Sequence, residues 1–316
     1  MGVKIVVGFK LERPYQERLR AHFPFLRWVF TRCKEEMLEE VQDADAFFGW
    51  PTDDVIAAGS RLRWLHLLGA GADGFNLQVA QARGIAVSNS RGVAASNIAE
   101  HVLALMLSFA RDLPTLARAQ QARRWTKSGG LRLFELSGQT IGIIGLGAIG
   151  QALAEKAGAL GMRVLGLRRN AQPVVGVECV YGIERMAEMA GQCHHIVACL
   201  PGTPGSAGMI DASFFDAMRQ GSYFYNVGRG STVDTQDLLD ALADGRLSGA
   251  GLDVVDPEPL PEGHPLWDHP RVIMTSHTAG NTENYWDRGI VLFERNLTAF
   301  LDGKELVTKV DPQSGY

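Results

Sequence analysis

The chain has 316 residues, more than a single hydrophobic core ordinarily serves, so two domains are expected. Hydrophobic residues make up 46% and charged residues 21%, the balance of a globular protein. A formal net charge of −4 excludes the basic footprint of a nucleic-acid binder, and the cluster Arg123, Arg124, Lys127 reads as a solvated helix end.

The opening VKIVVGF is short and soon followed by Lys10, Glu12 and Arg13, unlike a secretory signal, and Val6 stands where a myristoylation signal needs Ser or Thr. The first ~90 residues alternate apolar runs (KIVVGF, RWVF, DAFFGW, WLHLL, GIAVS) with amphipathic segments, the pattern of a parallel α/β unit. Asn97 with Glu100 three residues later forms a helix-start box, and Ile98, Val102, Leu105, Met106 and Phe109 recur at helical spacing. That helix is expected to lead from one domain into the next. Its apolar run HVLALMLSFA is the longest of the chain and far shorter than a membrane span. A cytoplasmic protein without nucleic-acid or membrane partners is therefore expected.

A second α/β series starts at Thr140: TIGIIG, RVLGL, HIVACL, SYFYNV, GAGLDV and RVIMTS. Most of its strands are separated by helix-length segments, so they should run parallel. Residues 283–303 read as a closing amphipathic helix stopped by Gly303 and expected to pack back on the first domain. The fold class is then α/β, with two Rossmann-like domains built on parallel sheets. The smaller, flavodoxin-like substrate domain is discontinuous (1–99 plus 283–316), and a dinucleotide-binding domain spans 100–282.

Strand TIGII feeds directly into Gly145-Leu146-Gly147-Ala148-Ile149-Gly150, followed by a helix with Ile149, Leu153 and Leu160 on one face. In such a turn Gly145 permits the tight bend, Gly147 lets the backbone approach a pyrophosphate, and Gly150 allows close helix–strand packing. The free N–H groups where the helix begins, at Ala148 and Ile149, then face the phosphates. An acidic residue at the end of the next strand would accept ribose hydroxyls and repel a 2′-phosphate. Here Arg168 and Arg169 follow Leu167 instead, and two guanidiniums clamp a phosphate. NADP(H) is the expected cofactor, with NAD(H) possible.

Cys33, Cys179, Cys193 and Cys199 lack paired metal-ligand spacing and read as buried reduced thiols. His194 and His195 are adjacent in a strand and point to opposite faces, so no metal is expected. Three later strand ends carry complementary chemistry. Arg229 lies in Asn226-Val227-Gly228-Arg229-Gly230, and Glu258 sits between prolines in Asp256-Pro257-Glu258-Pro259, just after Gly251-Leu252-Asp253-Val254. His277 follows Ile273-Met274-Thr275-Ser276. A cation, a carboxylate and an imidazole outside the carboxyl ends of a parallel sheet suit a small carboxylate substrate and a proton transfer.

Together with Leu68-Gly69-Ala70-Gly71-Ala72-Asp73, these motifs cover nearly the whole chain and resemble the D-isomer-specific 2-hydroxyacid dehydrogenases. The resemblance implies that His277 is the acid/base and Glu258 its partner, fixing the ring tautomer. Arg229 would hold the substrate carboxylate and polarise the 2-keto oxygen, and Asp253 would contact the nicotinamide side of the cofactor. Leu200 and Pro201 would pack near the nicotinamide, and the N–H groups of Ala70 and Gly71 would cradle the carboxylate. Two departures from the family pattern stand out: Ser276 replaces the usual Pro before the histidine, and Ser206 the usual Thr.

Within that family, formate dehydrogenases carry Gln where this chain has Glu258, and phosphite dehydrogenases carry Lys where it has Ala70. No cation occurs in LGAGAD to meet a phosphorylated substrate. The likeness is to NADPH-dependent glyoxylate/hydroxypyruvate reductases, acting on a small 2-keto or 2-hydroxy acid. Trp286 is the expected pocket wall, with Trp50 and Trp125 as further candidates and Trp125 reaching across a homodimer interface. Two alternatives stay open: an NAD-dependent dehydrogenase of a bulkier D-2-hydroxy acid, and a dinucleotide-sensing, corepressor-like binding protein.

Overall fold

The computed structural model of the chain describes residues 2–72 and 75–311. It divides into two units, Met1–Val93 with Glu283–Tyr316, and Ala94–Thr282.

The first unit is a five-stranded sheet of β1 (Lys4–Val7), β2 (Arg27–Phe30), β3 (Ala46–Gly49), β4 (Trp64–Leu67) and β5 (Ala86–Ser88), in the order β2-β1-β3-β4-β5. All of its neighbours pair parallel. That order is the flavodoxin-like one. Because successive strand residues face opposite ways, the same short runs feed two cores. Ile5, Val7, Ala46, Phe48 and Trp64 pack with Phe293 and Leu297 of the helix Tyr285–Leu301. Val6, Phe47, Leu65 and Val87 pack on the other face with Val55, Ile56, Leu77 and Ala80. Phe293 stacks on Phe48 with ring centroids 4.1 Å apart.

In the second unit, β6 (Thr140–Ile144), β7 (Arg163–Leu167), β8 (Cys179–Tyr181), β9 (His195–Ala198), β10 (Ser222–Asn226), β11 (Leu247–Leu252) and β12 (Val272–Met274) form one parallel sheet. Its order is β12-β11-β10-β9-β6-β7-β8. The chain moves outward from β6 to β8 and then restarts at β9 on the other side of β6. The crevice at that reversal, outside the carboxyl ends, is where such sheets bind ligands.

Several local expectations are corrected. Asn97 does not start a helix: the helix runs Ala95–Ala110 from Ala94, without a side-chain cap bond. Asn97 instead donates from Nδ2 to the Ala279 carbonyl at 2.7 Å, a tertiary acceptor that outcompetes the local cap. Leu160 is exposed, because the helix ends at Ala159 and Leu153 takes the inner position. The three-residue strand β8 escaped notice because CVY is too short to show alternation. Cys33 is exposed rather than buried, whereas burial pushes the Cys193 and Cys199 thiols up to about 12. Among the described residues no group of His, Cys, Asp and Glu is arranged to hold a metal ion, and no helix is long and apolar enough to cross a membrane.

Candidate active site

At the end of β6, Gly145 adopts φ +98°, and a Cβ there would lie 2.8 Å from the Cys199 carbonyl oxygen, so the turn requires glycine. The Gly145 N–H donates to the Leu167 carbonyl at 2.9 Å, which ties the turn to the end of β7. The helix Ala148–Ala159 starts immediately after, and its first N–H groups, at Ala148, Ile149 and Gly150, have no intrahelical acceptor. No atom lies within 4 Å of a Cβ built on Gly147, so the backbone there is open to approach. A Cβ on Gly150 would fall 2.2 Å from the Gly145 oxygen, which leaves no room for any other residue. Arg168, half-buried, and Arg169, exposed, follow β7, with no carboxylate in Leu167-Arg168-Arg169-Asn170. An open glycine, unpaired helix N–H groups and a cationic strand end fit the phosphates of a nicotinamide dinucleotide.

Beyond β9, Leu200 and Pro201 enter a loop held by Ser206, whose buried Oγ donates to the Pro201 carbonyl at 2.5 Å and accepts the Thr203 N–H at 3.0 Å. The smaller hydroxyl residue thus keeps the loop closed. The loop also meets the next strand end, since a Cβ on Gly228 would lie 2.4 Å from the Leu200 oxygen. On the other side of Arg229, a Cβ on Gly230 would strike the Val255 carbonyl. The two glycines therefore press the Arg229 turn between the Leu200 and Val255 backbones. Asn226 clamps the turn, its Nδ2 donating to the Arg229 carbonyl at 2.9 Å and its Oδ1 accepting the Gly228 N–H at 3.0 Å.

Glu258 and His277 are brought together. Oε1 of Glu258 accepts the Val255 N–H at 3.0 Å, and Oε2 meets Nδ1 of His277 at 2.9 Å. With a carboxylate as its acceptor, Nδ1 carries the hydrogen and Nε2 is the ring nitrogen turned away from Glu258. Both side chains are solvent-accessible, His277 at 49% and Glu258 at 36%.

His277 has φ +51°, the left-handed region that a non-glycine residue enters only when held there. Asp253, 2% exposed, does the holding. Its carbonyl accepts the His277 N–H at 2.8 Å, Oδ1 accepts the Thr278 N–H at 3.0 Å, and Oδ2 accepts the Ala279 N–H at 3.0 Å. Thr275 Oγ1 donates to Oδ1 at 2.6 Å and lies 3.0 Å from Nε2 of His101. The turn is thus fixed by a buried carboxylate, with Ser276 exposed where a proline would stiffen it. Thr275 and His101 carried no signal in the sequence, where each looks like an ordinary strand-end or helix residue.

Ala70, Gly71 and Trp286 belong to the first unit. Ala70 and Gly71 follow β4, and their N–H groups, like that of Gly69, bond to no described residue. Asp73, the last residue of that motif, lies outside the described residues. Trp50 packs on the loop, its ring lying 2.8 Å from a Cβ built on Gly69 and stacking on Phe75. Trp286 is half-buried and stacks on Phe9 with centroids 5.2 Å apart. Trp125 is 96% exposed.

Residues 103–279 match the family model described as D-isomer specific 2-hydroxyacid dehydrogenase, NAD binding domain. The chain is 33% identical over 257 residues to the human glyoxylate reductase/hydroxypyruvate reductase, covering 80% of this chain and 78% of that protein. It is 31% identical over 267 residues to D-3-phosphoglycerate dehydrogenase of Mycobacterium bovis, covering 83% of this chain but only 50% of that one, so it spans about half the length of that relative. Among solved structures, the NADPH-dependent glyoxylate/hydroxypyruvate reductase of Sinorhizobium meliloti, in complex with NADP and sulfate, superposes with a TM-score of 0.85 at 26% identity. That match covers 99% of this chain and 100% of the other.

Proposed function

The chain belongs to the D-isomer specific 2-hydroxyacid dehydrogenase family, and we propose that it reduces a small 2-keto acid of the glyoxylate or hydroxypyruvate kind with NADPH, and catalyses the reverse oxidation. The observation that carries this reading is the pairing of His277 Nδ1 with Glu258 at 2.9 Å, which suits a reaction that must deliver a proton to an alkoxide. When bound, the reduced nicotinamide supplies the hydride for the keto carbon.

The protein groups then divide the work between them. Glu258, anchored by the Val255 N–H, holds the hydrogen on Nδ1, and His277 as the imidazolium gives its Nε2 proton to the carbonyl oxygen and is left as the neutral Nδ1–H imidazole. In oxidation the same nitrogen takes the hydroxyl proton. Arg229 binds the substrate carboxylate and polarises the keto oxygen, where negative charge grows. The N–H groups of Ala70 and Gly71 bind the carboxylate as well. By the family resemblance Leu200 and Pro201 border the nicotinamide and Asp253 lies on its side, while the Asp253 carboxylate fixes the turn of His277.

A cofactor preference for NADP(H) is supported by Arg168 and Arg169 and by the absence of a carboxylate beside them. The NADP-bound neighbour is consistent with it. A homodimer is the proposed assembly by the family resemblance, with Trp125, 96% exposed, as the residue proposed to reach across it. Steady-state kcat/KM for glyoxylate, hydroxypyruvate, pyruvate and phenylpyruvate, each with NADPH and NADH, tests the function. The two small acids with NADPH are expected to lead. Turnover of none of the four would remove the reading.

A further inference from the structure

The loop after β4 is held by its carbonyls. Tyr285 Oη donates to the Leu68 oxygen at 2.5 Å, the Ser90 N–H to the Gly69 oxygen at 2.9 Å, and Asn89 Nδ2 to the Ala70 oxygen at 2.6 Å. A trans peptide is planar, with its N–H directed opposite its C=O. Fixing those three carbonyls therefore aims the N–H groups of Gly69, Ala70 and Gly71 away from their anchors, and none of the three meets an acceptor among the described residues. Two of the three residues are glycines, whose peptide planes turn over with little steric resistance. Each turned plane would present a carbonyl oxygen, repulsive to an anion, in place of a donor.

Asn89 is fully buried and locked on every side. Its Oδ1 accepts the Arg91 N–H at 3.3 Å, which settles which end of the amide donates to Ala70. Its backbone N–H donates to the Thr308 carbonyl at 3.2 Å, and its carbonyl accepts the Thr308 hydroxyl at 2.6 Å. Thr308 is in turn matched by Asn296, buried on the closing helix, through bonds of 3.0 and 3.2 Å. Tyr285 starts that same helix, and burial raises its hydroxyl above the ordinary value, so it stays a donor.

We propose that Asn89 and Tyr285 are positioning residues for substrate binding: they hold the carbonyls of the 68–70 segment so that its amides form a preset carboxylate cradle. This rests on the reading of the protein as a keto-acid reductase. It adds that binding depends on two side chains that act through the backbone.

The test uses the full chain with NADPH and two probes: glyoxylate for turnover, and oxalate, an unreducible dicarboxylate, for binding to the enzyme–NADPH complex. Asn89→Ala is expected to raise the glyoxylate KM and the oxalate Kd about tenfold, and Tyr285→Phe roughly threefold, each leaving the NADPH Kd unchanged. A merely structural role would lower the melting temperature without moving the oxalate Kd, and that result would overturn the proposal. If Asn89→Ala does not fold, Tyr285→Phe decides alone, since it deletes one hydroxyl; an unchanged oxalate Kd there also overturns it. Wild-type protein that neither reduces a keto acid nor binds oxalate would defeat the enzymatic reading itself, and the cradle with it.

Discussion

Replacing Glu258 by Gln separates the catalytic value of the His277 pair from its structural value. The carboxylate now accepts two hydrogen bonds, from the Val255 N–H at 3.0 Å and from His277 Nδ1 at 2.9 Å. An amide has one acceptor end. If its oxygen stays on Val255, its NH₂ group faces Nδ1 and forces the hydrogen onto Nε2, so protonation of the whole ring meets a donor. If the amide flips, the NH₂ group faces the Val255 N–H and leaves a donor unsatisfied. Once bound cofactor and substrate exclude water from the pair, either arrangement costs about 1–3 kcal/mol in the bound complex, and the lost charge assistance adds roughly another 1 kcal/mol. A total of about 2–4 kcal/mol corresponds to a fall in kcat of roughly 30- to 1,000-fold. Stability should barely move, because the pair is solvent-accessible and such pairs contribute about 0–1 kcal/mol. Stopped-flow reduction of glyoxylate at saturating NADPH, with a thermal melt of the same sample, measures both. A kcat within about threefold of wild type would refute the tautomer argument, because the smallest cost above already exceeds that factor.

Three further outcomes follow from other parts of the structure. Arg168→Ala combined with Arg169→Ala should lower kcat/KM for NADPH by roughly 10- to 100-fold and leave NADH nearly unchanged; an equal loss with both cofactors would mean that the arginines do not read the 2′-phosphate. Asp253→Asn places an NH₂ group against an N–H or hydroxyl donor, at about 1–3 kcal/mol, so both melting temperature and kcat should fall; wild-type values for both would show that the turn of His277 does not depend on that carboxylate. Burial pushes His66 and His195 down to about 3 from 6.5, so the unfolded chain binds more protons than the native one in between. Stability should then decline as pH falls below about 6.5, by up to about 1.4 kcal/mol per pH unit for each ring. Melts showing a flat or rising Tm as pH falls from about 7 to about 5 would contradict the neutral, buried state of these rings.

The inner strands of the second unit's sheet, β6, β7, β9, β10 and β11, were legible because they are buried along almost their whole length and read as short apolar runs, whereas the three-residue edge strand β8 was missed. Arg229 and Asp253 could be placed at strand ends for that reason, and His277 because the apolar run Val272–Met274 ends just before it. The left-handed turn at His277 could not, since nothing in Thr275-Ser276-His277-Thr278 marks a positive φ without glycine. Asn97 misled for a related reason: its amide satisfies a helix start equally well in the abstract, and only the tertiary fold offers the Ala279 carbonyl instead. What the sequence hides are the bonds from buried polar side chains to distant backbone, because neither spacing nor hydropathy encodes an acceptor many residues away.

Those hidden bonds explain why two loops with similar small-residue composition present opposite faces. Asp253 is an acceptor, and it consumes the N–H groups of residues 277, 278 and 279. That turn therefore offers no backbone donors at these positions to an anion, and the imidazole is what it presents. Asn89 and Tyr285 are donors, and with the Ser90 N–H they consume carbonyls, while the N–H groups of Gly69, Ala70 and Gly71 meet no acceptor among the described residues, as the proposed cradle requires. The choice of an acidic side chain in one place and an amide and a phenol in the other decides which polarity of the backbone is spent internally. The specificity of such a site is written as much in the buried partners of its loops as in the groups that touch substrate.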